Sequence, residues 1–166
     1  MTSNPCRCRL FLDTDVEEFH EHAVASGFQK VKRRGQPYWW LSYSRCTECA
    51  SPWLQAQEER FNDIYIVRRI TEDEASEIER GGSWPKDLDK YEDLIEIGAA
   101  FGHSARFADI HGGLSVCIDL VGQRPDISAH RVAELLNFSL LEATQLLVQA
   151  KQRIAEHGYP YPWTAA

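Results

Sequence analysis

The sequence predicts an α+β fold, with a small antiparallel sheet carrying a zinc-knuckle-like lobe and a C-terminal helical hairpin. Three observations point there. Strand-like and helix-like segments alternate irregularly, which a doubly wound parallel sheet would not do. Two capping-box sequences, Thr71-Glu-Asp-Glu74 and Ser139-Leu-Leu-Glu142, mark helix starts. Four cysteines fall into two close pairs, Cys6-x-Cys8 and Cys46-x-x-Cys49, and the second pair interrupts strand-like sequence.

Taken in order, residues 8–12 read as a short strand. A helix is expected from about residue 15 to residue 26, with Val16, Phe19 and Ala23 on one face and Gly27 ending it. Lys30-Val-Lys-Arg-Arg34, a Gly-Gln-Pro turn and the aromatic run 38–43 read as a hairpin. Strand character resumes at Trp53-Leu54 and at residues 63–67. The Thr71 box opens a helix that runs to Arg80 and stops at Gly81-Gly82.

Leu88, Tyr91, Leu94, Ile95 and Gly98 recur at helical spacing, predicting a helix that ends near Gly102. Residues 105–108 and 114–121 are expected as two further strands. Ser128 caps a helix to about Asn137, and the Ser139 box opens another to about His157. An extended tail follows. The expected organisation is an α+β domain over 1–124 with a zinc-ribbon-like cysteine lobe, a helical hairpin over 125–158 packed on it, and a tail over 159–166.

A chain of 166 residues can bury a real core without disulfides. Its net charge of −7 argues against wrapping nucleic acid or lying on an anionic membrane, since both carry negative charge. Residues 71–97 hold ten acids against three bases, so this one stretch matches the excess of the entire chain. The N-terminus reaches charged residues before any run long enough for a signal peptide, and no stretch approaches the roughly 18 apolar residues of a membrane span. The expected location is the cytoplasm, and in that reducing compartment paired cysteines read as metal ligands more readily than as disulfides.

Zinc takes four ligands at tetrahedral corners, and two thiolates a few residues apart on a tight turn supply two of them from one piece of backbone. Cys46-x-x-Cys49 has the usual knuckle spacing, while Cys6-x-Cys8 is tighter. Arg7, Arg9 and Arg45 lie nearby in sequence to offset the negative charge of a four-thiolate centre. The alternatives are that these thiols are simply small buried hydrophobes, or that they serve a redox or disulfide role. Cys117, within an apolar run, reads as core. His20 and His22, two residues apart on the expected helix, point to different faces and are poor joint ligands.

Ile127-Ser-Ala-His-Arg-Val-Ala-Glu-Leu-Leu-Asn-Phe-Ser-Leu-Leu-Glu-Ala-Thr-Gln-Leu-Leu147 resembles the helix-turn-helix family. Ala133 sits where the first helix must be small, Asn137 where the turn needs positive φ, and Ala143 and Leu146 where the second helix packs back. The resemblance implies DNA recognition by the second helix. That helix begins with Leu140 and Leu141, and its bases Lys151 and Arg153 come only at the far end, so electrostatics favour a protein-packing hairpin.

No catalytic motif is present: there is no phosphate loop, nucleophile elbow or His-Glu-x-x-His. His103, Asp109, His111, Asp119 and His130 are the polar residues that would have to converge in an acid/base site. The five tryptophans read mostly as packing. The tail Tyr159-Pro-Tyr-Pro-Trp163 either straps over the domain or meets a partner.

The Trp39-Trp40 strand, the Cys46-x-x-Cys49 turn, Trp53 and Gln57-Glu-Glu-Arg-Phe-Asn-Asp63 together resemble the small cysteine-knuckle proteins that serve bacterial polymorphic toxins as immunity partners. The resemblance spans residues 38–95. Ala50 stands where a glycine commonly follows the second knuckle cysteine. The resemblance implies a protein that blocks a toxin by covering it. The expected function is thus a non-enzymatic, zinc-stabilised protein-interaction module, with Cys6, Cys8, Cys46 and Cys49 on structural Zn2+. Glu72, Glu77, Asp89 and Glu96 are expected to face a basic toxin. The alternative is a transcriptional regulator binding DNA through the C-terminal helix-turn-helix, and an enzyme ranks third.

Overall fold

The computed structural model describes residues 6–9, 11–18, 27–35, 38–58, 60, 64–101 and 112–159. They form an α+β protein whose backbone contacts divide it into two units, meeting at residues 86 and 87. The boundary expected at 124/125 falls inside the second unit.

The first unit is built on five strands: β1 (Thr14–Glu18), β2 (Phe28–Gly35), β3 (Trp39–Cys46), β4 (Pro52–Glu58) and β5 (Ile64–Arg69). They pair antiparallel throughout in the order β1-β5-β4-β3-β2. The hairpin expected at 30–43 is therefore present as β2 and β3. At the end of β2, the φ of +135° at Gly35 and its close approach to Trp40 leave no room for a side chain; an added Cβ would lie 2.5 Å from the Trp40 Cα.

Pleating sorts the sheet into two unlike faces. The register places Trp39, Leu41, Tyr43, Leu54, Ala56 and Ile66 on one face, all buried. Helix α1 (Glu72–Glu79) lies against it and adds Ala75 and Ile78 to the core. Side chains from that face tie the helix down. Lys32 Nζ donates to the Ile78 carbonyl at 2.8 Å, the Tyr43 hydroxyl donates to Glu79 at 2.6 Å, and Arg68 pairs with Glu74 at 3.2 Å. The expected capping box is formed: Thr71 Oγ1 accepts from the Glu74 amide and the Glu74 carboxylate accepts from the Thr71 amide. The opposite face is polar at its centre, where Ser42, Ser44, Gln55 and Gln57 are buried and Ser44 donates to Gln55 at 3.1 Å. It is apolar at both ends: Phe28, Cys46, Trp53 and Val67 gather at one, and Trp40 meets Tyr65 edge-on at the other.

The second unit, over its described residues, is helical: α2 (Tyr91–Ala100), α3 (Gly113–Gln123), α4 (Ala129–Leu136) and α5 (Leu140–His157). Ser128 and Ser139 cap α4 and α5 as expected, and Asn137 ends α4 at φ 54° in the left-handed region. The hairpin buries Val132, Leu135, Ala143, Leu147 and Ala150. Glu92, almost wholly buried, receives hydrogen bonds from Arg124 (2.9 Å) and Arg131 (2.7 Å), and Arg131 also reaches Glu96. From the tail, Tyr159 packs over Gly122, where a Cβ would strike its ring, and donates to Asp119 at 3.0 Å.

Three expectations are corrected. Residues 15–18 belong to β1, not to a helix, because β5 offers an open edge whose amides and carbonyls they satisfy from Thr14↔Arg68 to Glu18↔Ile64; residues 19–26 lie outside the described residues. Residues 8, 9, 11 and 12 do not form a strand, and a 3-10 turn at Arg7–Arg9 takes its place; residue 10 lies outside the described residues. Residues 114–121 form the body of α3, not a strand, and bury Val116, Cys117, Leu120 and Val121 at helical spacing. The strand expected at 105–108 lies outside the described residues.

Burial alone would raise the Glu92 pKa, but the hydrogen bonds from Arg131 and Arg124 prevail and hold it below the usual glutamate range. Its contribution to stability is then complete above the unfolded-state value of about 4.3 and is lost as pH falls through the lower folded-state value. Glu92→Ala is expected to destabilise the second unit by about 1–3 kcal/mol at pH 7, with the deficit shrinking in strong acid. Urea unfolding followed by helical circular dichroism at both pH values measures this.

Candidate metal centre

The cysteines meet at one apolar end of the sheet's second face. The turn after β3 carries Cys46 and Cys49. Its geometry is held by the Ala50 amide donating to the Cys46 carbonyl (2.9 Å), the Cys46 amide to the Ser51 carbonyl (3.0 Å), and Thr47 donating through both its amide and its hydroxyl to the Gly27 carbonyl. Ala50 takes a φ of 59°, the left-handed conformation for which glycine is the usual residue. The knuckle shape is therefore kept despite the alanine.

The N-terminal segment supplies the other two thiols. In an extended strand, residues two apart are roughly 6.6–6.8 Å apart along the chain. The 3-10 turn, closed by the Arg9 amide on the Cys6 carbonyl at 3.0 Å, instead brings Cys6 and Cys8 Sγ to 3.1 Å. Cys6 Sγ lies 3.2 Å from Cys46, and Cys8 Sγ lies 3.2 Å from Cys49. All four sulfurs lie within 4.8 Å of one another. A tetrahedron with metal–sulfur bonds of about 2.3 Å has edges of roughly 3.8 Å, inside the spread seen here. All four are free thiols, and the cluster could hold a metal ion.

Phe11, Phe28 and Trp53 pack edge-to-face or tilted beside the cluster, with ring centroids 5.7–6.1 Å apart. Cys8 and Cys46 are buried, Cys6 is half-buried, and Cys49 is exposed. Hydrogen bonding differs correspondingly. Ser51 Oγ accepts from the Trp53 indole N–H at 3.1 Å, which leaves its own proton free to point at Cys49 Sγ, 3.0 Å away. Donation from the Ser51 hydroxyl and then its amide lowers the Cys49 thiol to about 6, whereas burial pushes Cys8 up. Contact with Cys8, followed by burial, raises Cys6.

Of the arginines expected to offset thiolate charge, Arg45 instead braces the turn, donating to the Ala50 carbonyl at 3.0 Å while pairing with Glu72 (3.1 Å) and Glu79 (3.2 Å). Arg69, which sequence spacing does not single out, donates to the Cys8 carbonyl at 3.4 Å and lies 4.5 Å over the Trp53 ring. Ser51 was equally hidden, since its role depends on the Trp53 indole reaching back two residues along the strand.

The four acids expected to face a partner are divided between the units. Glu72 and Glu77 lie on α1, where Glu77 pairs with Arg80 at 2.8 Å; Asp89 precedes α2, and Glu96 on α2 meets Arg131. Cys117 is buried core, its thiol raised to about 12 by burial. Asp119 is held by Tyr159, and His130 lies on α4, while His20, His22, His103, Asp109 and His111 lie outside the described residues. Comparison with known protein families, characterised proteins and solved structures returns no match.

A left-handed alanine carries a conformational cost of about 1–2 kcal/mol that glycine does not. Ala50→Gly is therefore expected to raise the stability of the first unit by about 1 kcal/mol, read as a higher thermal midpoint; a lowered midpoint would show that the turn does not need positive φ.

Proposed function

We propose that this chain is a non-enzymatic interaction protein whose first unit is stabilised by a structural zinc ion on Cys6, Cys8, Cys46 and Cys49. The observation that carries the reading is the convergence of four sulfurs from two chain segments, all within 4.8 Å. Four thiolates are the donor set of structural zinc, and they close the coordination sphere, leaving no position for a reactive water. The ion would act as a cross-link and charge centre.

Two features support a binding role. The exposed side of α1 presents Glu72 and Asp73 at its N-terminal end, and Glu77 beside them is half-buried. Such a surface suits a basic protein partner, of which a toxin held in check by its immunity protein is the reading proposed here. In the second unit, the outward side of α5 exposes Leu140 (45%), Leu141 (68%) and Val148 (61%). Apolar side chains where a DNA-reading helix would carry bases favour a protein contact over the transcriptional-regulator alternative.

Freshly purified reduced protein is expected to carry about one zinc and no iron per chain by elemental analysis, and chelation should lower its thermal midpoint by several degrees. Metal-free protein with an unchanged midpoint would remove the zinc. Replacing Glu72, Glu77 and Glu96 by Gln and Asp89 by Asn together should slow association with a basic partner at least tenfold at low salt, with the difference fading at high salt. Surface plasmon resonance across a salt series reads it.

A further inference from the structure

Three sulfur–sulfur contacts run through the cluster as a single path, Cys46 to Cys6 (3.2 Å), Cys6 to Cys8 (3.1 Å) and Cys8 to Cys49 (3.2 Å). Only one way of pairing all four sulfurs uses these contacts: Cys6 with Cys46, and Cys8 with Cys49. A Cys6–Cys8 bond would leave Cys46 to pair with Cys49, which lies within 4.8 Å of it but shares none of these three short contacts with it. Both members of the favoured pairing join the N-terminal segment to the turn after β3, which is the same junction a metal would make.

Exposure sets the order of attack. Cys49 is the one exposed residue of the four, Cys6 is half-buried, Cys8 is 2% exposed, and Cys46 is 4% exposed. An oxidant from solvent therefore meets Cys49 first, and the nearest sulfur able to resolve the product is Cys8.

We propose that the cluster is a redox-interchangeable staple, converting from a zinc–thiolate centre to the disulfides Cys6–Cys46 and Cys8–Cys49 under hydroperoxide, with release of the ion. This rests on the zinc reading for the ion, while the pairing does not. The chemistry balances with hydrogen peroxide. The Cys49 thiolate attacks one peroxide oxygen, the O–O bond breaks, and a sulfenic acid and water result after protonation. The Cys8 sulfur then displaces water from that sulfenic acid to form the S–S bond. Cys6 and Cys46 repeat the sequence with a second peroxide. In total, four thiolates, two peroxides and four protons give two disulfides and four waters, and the zinc is freed because disulfide sulfur is no longer a thiolate ligand.

The sequence makes the test clean, because trypsin cuts after Arg7, between Cys6 and Cys8, and a glutamate-specific protease cuts after Glu48, between Cys46 and Cys49. The full-length zinc-loaded chain is treated with two equivalents of hydrogen peroxide while a metallochromic dye follows the ion, and non-reducing peptide mapping assigns the bonds. The expected result is one zinc released per chain, Cys6–Cys46 and Cys8–Cys49 as the dominant bonds, Cys117 still a thiol, and full reversal by dithiothreitol with zinc. Substoichiometric maleimide should label Cys49 at least fivefold over the other three. Mapping of Cys6–Cys8 with Cys46–Cys49, or sulfinic acids with no disulfide, overturns the proposal. A metal-free reduced sample is oxidised in parallel. If the chain carries no zinc at the outset, the metal reading fails on the elemental analysis, and the pairing is still decided by that arm.

Discussion

The two faces of the first unit's sheet are unequally apolar, and the four thiols gather on the poorer one. The face under α1 is filled by Trp39, Leu41, Tyr43, Leu54, Ala56 and Ile66 and would hold a helix on hydrophobic burial alone. The other face has Ser42, Ser44, Gln55 and Gln57 at its centre, which contribute little transfer free energy and require hydrogen-bond partners when buried. The N-terminal segment packs on one end of it, around Phe28, Trp53 and Val67, and that patch is small. Cys6 and Cys8 therefore arrive where a metal or covalent bond would do most. A cross-link between residues 40 or 41 positions apart stabilises the folded state largely by restricting the unfolded chain, which extra apolar contacts would not do.

What could be read from the sequence divides along the range of the interactions involved. Local chemistry was legible: both capping boxes, the Ser128 cap, the left-handed Asn137 and the β2–β3 hairpin are specified by residues within a few positions of one another. The cysteine cluster was legible too, because metal-ligand spacing is itself a local signal that points to a distant partner. Residues 14–18 were not, since their conformation is decided by the open edge of β5, some 50 residues away. The run 114–121 misled for a different reason. Continuous apolar sequence carries no period, so a helix buried on a broad face and a buried strand look alike. Within the site, Ser51 and Arg69 escaped notice because both pack against Trp53 beside the cysteines, and nothing in their spacing shows that the indole brings them there.

Much of the chain's acidity is used internally. Glu72 and Glu79 hold Arg45, which in turn holds the Ala50 carbonyl of the knuckle turn, so the acidic helix and the cysteine turn are mechanically linked. The Tyr43 hydroxyl, and after it Arg45, lower the Glu79 pKa, keeping that acid charged. Glu92 plays the equivalent part in the second unit by gathering Arg124 and Arg131. A partner approaching these surfaces would meet carboxylates already positioned by arginines. That lowers the entropy lost on binding, but it also leaves each carboxylate less net charge to offer. Electrostatic steering by such a surface acts more on association rate than on final affinity.

The unequal shelter of the four sulfurs connects stability with chemistry. A fully buried four-thiolate site would be inert, and a fully exposed one would lose its metal to competing ligands and oxidants. Here Cys8 and Cys46 lie under Phe11, Phe28 and Trp53, while Cys49 faces solvent, with its thiolate favoured by donation from Ser51. The exposure that would open Cys49 to competing ligands is also what would bring an oxidant to it first. Because its neighbour on the path is Cys8, and not Cys46 on its own turn, a reaction begun at the surface is carried across to the N-terminal segment. The two segments would then stay joined by a disulfide as they would by a metal.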